Sequence, residues 1–170
     1  MEFNLIPRLR NLIGMPRVGA ETYAFPVLYI LVRNDMESMN PGKAMAQASH
    51  ASNAFIYDIK SKKARLCAED HEGEMEEFRT QIALADLWEN ETSQGFGTVL
   101  TLAVDEAQMR AAAISAQEAG FTAAVVHDPT YPLIDGNTIH YLPLDTCAYI
   151  FGDKNDQLLA TIVRNFPLHP

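Results

Sequence analysis

The stretch FPVLYILV, residues 25–32, constrains this chain more than any other feature: eight apolar residues in a row, rich in Val, Ile and aromatics, ended by Arg33-Asn34-Asp35. A half-exposed strand alternates apolar and polar residues, so an unbroken run reads as a strand buried on both faces and covered by helices. Asn40 and Pro41 follow as N-cap and first-turn residue of a helix expected over residues 41–60.

The remaining pattern repeats this alternation. A second helix is expected over about 72–90, with Met75, Phe78, Ile82, Ala85 and Trp88 on one face, then a strand over 95–104. Asp105 caps a helix that Gly120 stops, and residues 121–126 form a short strand. After a loop containing Pro129, Pro132 and Gly136 comes an extended segment over 138–151, interrupted at Pro143, and a last helix over 153–166. Strands alternating with helices predict an α/β fold: a single three-layer domain with a central four-stranded mixed sheet flanked by helices, and a βαβ crossover between residues 95 and 126. Residues 1–22, with three arginines and two prolines, read as an N-terminal arm; residues 23–170 are the domain.

Composition narrows the class. With 170 residues, 48% hydrophobic and 21% charged, the chain suits one globular domain. No stretch approaches the roughly eighteen apolar residues of a membrane span, so no membrane anchor is expected. The N-terminus lacks a secretory signal pattern, and Cys67 and Cys147 have no CxxC partner, which together predict a cytoplasmic protein with two inert thiols. The formal charge of −9 is concentrated: nine acids and only Arg79 lie between residues 69 and 91, so the rest of the chain is nearly neutral. Just ahead stands KSKKAR, where Lys60, Lys62, Lys63 and Arg65 can meet phosphate, although such runs are more often solvated helix ends.

The helix MNPGKAMAQASHASNAF carries the candidate chemistry. With Lys43 at zero on the helical wheel, Gln47 falls at about 40° and His50 at about −20°. The expected sheet-facing side is Met45, Ala48, Ser52, Phe55, Ile56 and Ile59, which turns the polar trio away from the core. Ala46, Ala51 and Ala54 keep its surroundings low.

The order VRNDM…M.PGKAMAQASHA resembles the type-two peptidyl-tRNA hydrolases, through Val32, Arg33, Asn34, Asp35, Met39, Gly42, Lys43, Ala46, Gln47, Ser49, His50 and Ala51, with one residue inserted between Asp35 and Met39. VVHDPTYPLIDGNTIHYLPL is similar to a second family motif, anchored by Asp128, Gly136 and Thr138. Three positions depart: Pro41 replaces a lysine, Ala48 a cysteine, and Pro132 a threonine, with Thr130 nearby. The segment over about 61–92, which holds the acidic block, is longer than the family's and reads as a helical insertion.

The resemblance implies hydrolysis of the ester joining a peptide to tRNA, with no cofactor and a possible homodimer. His50 would be the general base, Asp128 would orient it or bind water, and Lys43 would steady the oxyanion or a phosphate. Gln47, Asn34, Asp35 and Thr130 would contact the substrate near the ester; Lys60, Lys62, Lys63 and Arg65, with Arg8, Arg10 and Arg17 of the arm, would meet tRNA phosphates. The alternative is a non-catalytic relative that binds RNA, a nucleotide or a protein. A metal site at His127, Asp128 and His140 is disfavoured because neighbouring strand residues point to opposite faces. Neither a GxxxxGK[ST] nor a GxGxxG motif occurs. A Ser49–His50–Asp128 triad fails because adjacent helix residues diverge by about 100°.

Overall fold

β1 (Pro26–Arg33) is buried along nearly its whole length because a strand flanks it on each side and helices cover both faces. The computed structural model describes residues 23–68 and 72–170, the side chains of 67, 68 and 72–75 excepted. The arm expected over 1–22 lies outside the described residues. The elements after β1 are α1 (Pro41–Ala68), α2 (Glu72–Glu89), β2 (Thr98–Val104), α3 (Glu106–Glu118), β3 (Thr122–Asp135), β4 (Thr138–Asp153) and α4 (Gln157–Val163). The four strands form one mixed sheet ordered β2-β1-β4-β3, with β1 parallel to β2 and β4 antiparallel to both its neighbours. The expected three-layer α/β domain is therefore present, and β2-α3-β3 supplies the crossover, spanning the sheet from edge to edge.

Alternate residues of β1 feed two cores. Val27, Tyr29 and Leu31 pack with Met109, Ala112 and Ala116 of α3 and Leu159 of α4. Leu28, Ile30 and Val32 pack with Phe55 and Ile59 of α1 and Ala85 and Trp88 of α2. The second core is aromatic: the Phe55 ring meets Trp88 edge-on at 5.5 Å and lies 4.7 Å from Phe151. Asn40 caps α1 as expected, its Oδ1 accepting the Lys43 backbone N–H at 3.0 Å. Asp105 and Gln108 form a reciprocal capping box on α3.

Three expectations are corrected. α1 continues to Ala68, so Lys60, Lys62, Lys63 and Arg65 lie on its third and later turns from the site rather than past its end. β3 does not stop at 126 but runs through Pro129 and Pro132 to a turn at Gly136, whose φ of 56° suits glycine. Prolines are tolerated there because β3 is an edge strand and its pairing with β4 breaks register at Val126/His127 and Asp128/Tyr131. The last helix is shorter than expected, since Asp156, not Asp153, caps it. Among the described residues no helix is long and apolar enough to cross a membrane.

Phe55 is fully buried among three aromatic rings, so Phe55→Ala removes contacts that the rigid sheet cannot close over. It is expected to lower stability by about 3–5 kcal/mol in urea unfolding, with the slope of the transition unchanged.

Candidate active site

α1 does not present the expected face to the sheet. Ala44, Gln47, Ala51, Phe55 and Ile59 are buried, whereas Met45 is 70% exposed. The helix is rolled by nearly one residue from the orientation that hydrophobicity suggests. Small Ala44 and Ala51 allow close approach, and a polar contact beneath the helix fixes the roll. Gln47 is only 3% exposed, and its amide is satisfied at both ends. Its Oε1 accepts the hydroxyl of the fully buried Thr146 at 2.5 Å, and its Nε2 donates to Asp128 Oδ2 at 2.7 Å. An ionised carboxylate only accepts, so Asp128 dictates which end of the amide faces it.

Asp128 sits where the β3 register breaks. Pro129 has no N–H, and Thr130, freed from ladder pairing, turns its N–H back onto Asp128 Oδ1 at 2.9 Å; the Thr130 hydroxyl lies 3.5 Å from the same oxygen. Burial pushes the Asp128 carboxyl upward, but the Thr130 N–H, the Gln47 amide and the charge of nearby His50 outweigh it, leaving Asp128 below the usual carboxylate range. His50 itself is exposed on the same helix. Lys43 reaches the next part of β3: its Nζ donates to the Pro132 carbonyl at 2.5 Å and lies 4.7 Å from the centre of the Tyr131 ring. Tyr131 is fully buried, its hydroxyl 3.1 Å from Ser38 Oγ and 3.8 Å from Met39 Sδ.

The structure thus bonds Gln47 of α1 to Asp128, which Thr130 supports, and Lys43 to Pro132 further along β3, while His50 on the same helix acts on Asp128 through its charge. Asp35 is not part of this contact set. Its carboxylate is gripped by Arg33, whose guanidinium holds it below its ordinary range, and Arg33 also binds Glu106 on the α3 side of the sheet. Asn34 is exposed, with its backbone N–H given to Val104. Lys62 is bonded to Asp58 and Thr122, and Lys63 to Asp86 and Glu89. Lys60 is exposed. His127 and Asp128 point to opposite faces as strand alternation requires: His127 Nδ1 meets Asp145 at 2.8 Å, and Asp145 in turn pairs with Arg110 of α3.

Sequence reasoning missed Thr146, Tyr131 and Cys147, all buried beneath the site. Cys147 donates its thiol to the Gln47 backbone carbonyl at 3.3 Å, and burial pushes its pKa up to about 12, which keeps it an inert donor. The available signal was the polar Thr146-Cys147 pair interrupting an otherwise apolar segment of β4. A separate cavity of about 320 Å³ lies toward the other end of α1, lined by Asp58, Lys62, Gln81 and Tyr149 among others, and touches none of Lys43, His50 or Asp128.

A depressed carboxyl contributes stability above its unfolded-state pKa and loses that contribution as pH falls through the lower folded value. Gln47→Leu removes one donor to Asp128, so the Asp128 pKa is expected to rise, and the acid-side loss of stability that it causes is expected to shrink. Carboxyl-carbon NMR titration of both proteins checks the direction; a pKa unchanged or lower in the variant contradicts it.

In comparison with known families, a model described as peptidyl-tRNA hydrolase PTH2 matches residues 26–168. No curated protein matches the chain in a sequence search.

Proposed function

The chain belongs to the peptidyl-tRNA hydrolase PTH2 family, and from that premise we propose that it hydrolyses the ester of peptidyl-tRNA or a related N-acylated aminoacyl-tRNA, using Lys43, His50 and Asp128. The observation that carries this reading is the Gln47 bridge, which holds the Asp128 carboxylate against the helix that bears the other two groups. Water attacks the ester carbonyl carbon while His50 takes its proton. Lys43, released from the Pro132 carbonyl, stabilises the negative oxygen of the tetrahedral intermediate. Collapse breaks the bond to the ribose oxygen, which recovers the proton from His50, leaving a peptide carboxylic acid and free tRNA. Asp128, kept ionised by Gln47 and Thr130, favours the imidazolium formed during attack. No step requires a cofactor. Thr130, in this reading, positions Asp128 and so serves where Pro132 stands in place of the family's threonine. The reading includes a cytoplasmic location, where aborted translation strands peptidyl-tRNA.

The engagement of Lys43 by Pro132 favours one other reading, a member of the family that holds tRNA without cleaving it. Single-turnover hydrolysis of N-acyl-aminoacyl-tRNA separates the two. His50→Ala is expected to lower the rate about 10²- to 10⁴-fold and Lys43→Ala about 10²-fold or more. Asp128→Asn, which keeps shape and removes charge, is expected to fall between wild type and His50→Ala. Tight tRNA binding by a wild-type protein that releases no peptide would leave the non-catalytic reading standing.

A further inference from the structure

α1 is far longer than the chemistry at its first three turns needs, and its outer face continues past His50. Seven residues beyond His50, hence within about 20° of it on the helix and about 10.5 Å along the axis, stands Tyr57. The residue is 76% exposed. Lys60 follows one turn further, also exposed. The side chains between them on this face, Asn53 and Ala54, are short, so neither stands between His50 and Tyr57 as a long side chain would. Among the described residues neither the Tyr57 hydroxyl nor the Lys60 ammonium has a hydrogen bond or ion pair. Lys62 and Lys63, by contrast, are held by Asp58 and by Asp86 and Glu89. The KSKKAR cluster is therefore not a uniform basic patch, and Lys60, about 80° round the helix from His50 and 60° from Tyr57, is its lysine without an acidic partner among the described residues, within reach of a strand passing Tyr57 on its long side chain.

We infer that this face of α1 is a track for the unpaired 3′ end of the RNA, with Tyr57 as a stacking platform for a base and Lys60 as a phosphate contact. Single-stranded nucleic acid is held by this combination of aromatic ring and cation, with stacking indifferent to which base it meets. The offset of about 10.5 Å corresponds to about three nucleotides at a stacked rise of about 3.4 Å, fewer if the strand is extended. Tyr57 thus meets a base upstream of the nucleotide carrying the ester. The inference rests on the hydrolase reading for its orientation, since the ester end must lie at His50.

The test compares wild type, Tyr57→Ala, Tyr57→Trp and Lys60→Ala on N-acyl-aminoacyl-tRNA and on the corresponding ester of adenosine alone, which lacks every upstream nucleotide. Tyr57→Ala is expected to raise KM for the tRNA substrate about 5- to 100-fold while leaving KM for the adenosine ester within about twofold of wild type, and Tyr57→Trp is expected to restore it. Lys60→Ala is expected to reduce the slope of log affinity for tRNA against log salt by about one. A tRNA KM for Tyr57→Ala equal to wild type, or an equal loss on both substrates, overturns the track. If wild type cleaves neither substrate, the hydrolase reading fails by itself, and anisotropy with a short ribo-oligonucleotide ending in CCA then decides the track: weaker binding by Tyr57→Ala upholds it, equal binding overturns it.

Discussion

Gln47 brings a carbonyl and an amino group into a position with almost no access to water, where each unpaired polar atom costs about 1–3 kcal/mol. Both ends find partners only if α1 sits at one roll angle and one height on the sheet: oxygen to Thr146 on β4, nitrogen to Asp128 on β3. The bridge ties a helix to two strands at once. It also positions the remaining groups, because Lys43 and His50 lie one turn to either side of Gln47 and move with it. A single buried amide therefore fixes the packing of α1 and the geometry of the site together.

The sheet then sorts polar groups by face. On the α1 side lie Lys43, Gln47, His50 and Asp128. On the α3 side Arg33 and Arg110 pair with Asp35, Glu106 and Asp145, and His127 joins them through Asp145. His127 and Asp128 are neighbours in sequence, yet they serve different assemblies because a strand alternates its side chains. The bulge at this point has a second effect. By breaking the ladder it releases the Thr130 N–H, which Asp128 takes up, so the irregularity that two prolines would suggest as a loop supplies one of the contacts that hold the Asp128 carboxyl below its ordinary range.

The elements legible in the sequence were those whose signals are local. The apolar run of β1, the Asn40-Pro41 start of α1, the Asp105 cap and the Gly120 stop of α3 need no knowledge of distant residues. The roll of α1 was not legible, since hydrophobicity placed Met45 inward and Gln47 outward; the contacts that reverse them, Thr146 and Asp128, lie about eighty to a hundred positions away in sequence. The reach of β3 was missed for a related reason. Pro129 and Pro132 argue for a loop unless one knows that β3 is an edge strand, and strand order is a property of the assembled sheet. For the site, residue types on α1 pointed to Lys43, Gln47 and His50, whereas of the buried supports only the Thr146-Cys147 pair left a local signal, a polar break in an apolar segment, and Tyr131 left none.

Net charge is the property that most opposes a nucleic-acid partner, but it is unevenly spread over the described residues. Lys63 is neutralised by Asp86 and Glu89 of α2, so part of the acidic block is bound to the basic cluster on the helix it packs against. Exposed pairs of this kind contribute about 0–1 kcal/mol to stability, too little to explain the arrangement as a source of folding energy. Their larger effect is on the field around α1: they cancel the charge of Lys63, while Lys60, one turn before it, keeps its own. At physiological salt, screening over about 8 Å makes such local asymmetry count for more than charges at the far side of the molecule. A formal charge of −9 therefore does not describe the field at every part of the surface, because the described acids Asp86 and Glu89 are spent on Lys63.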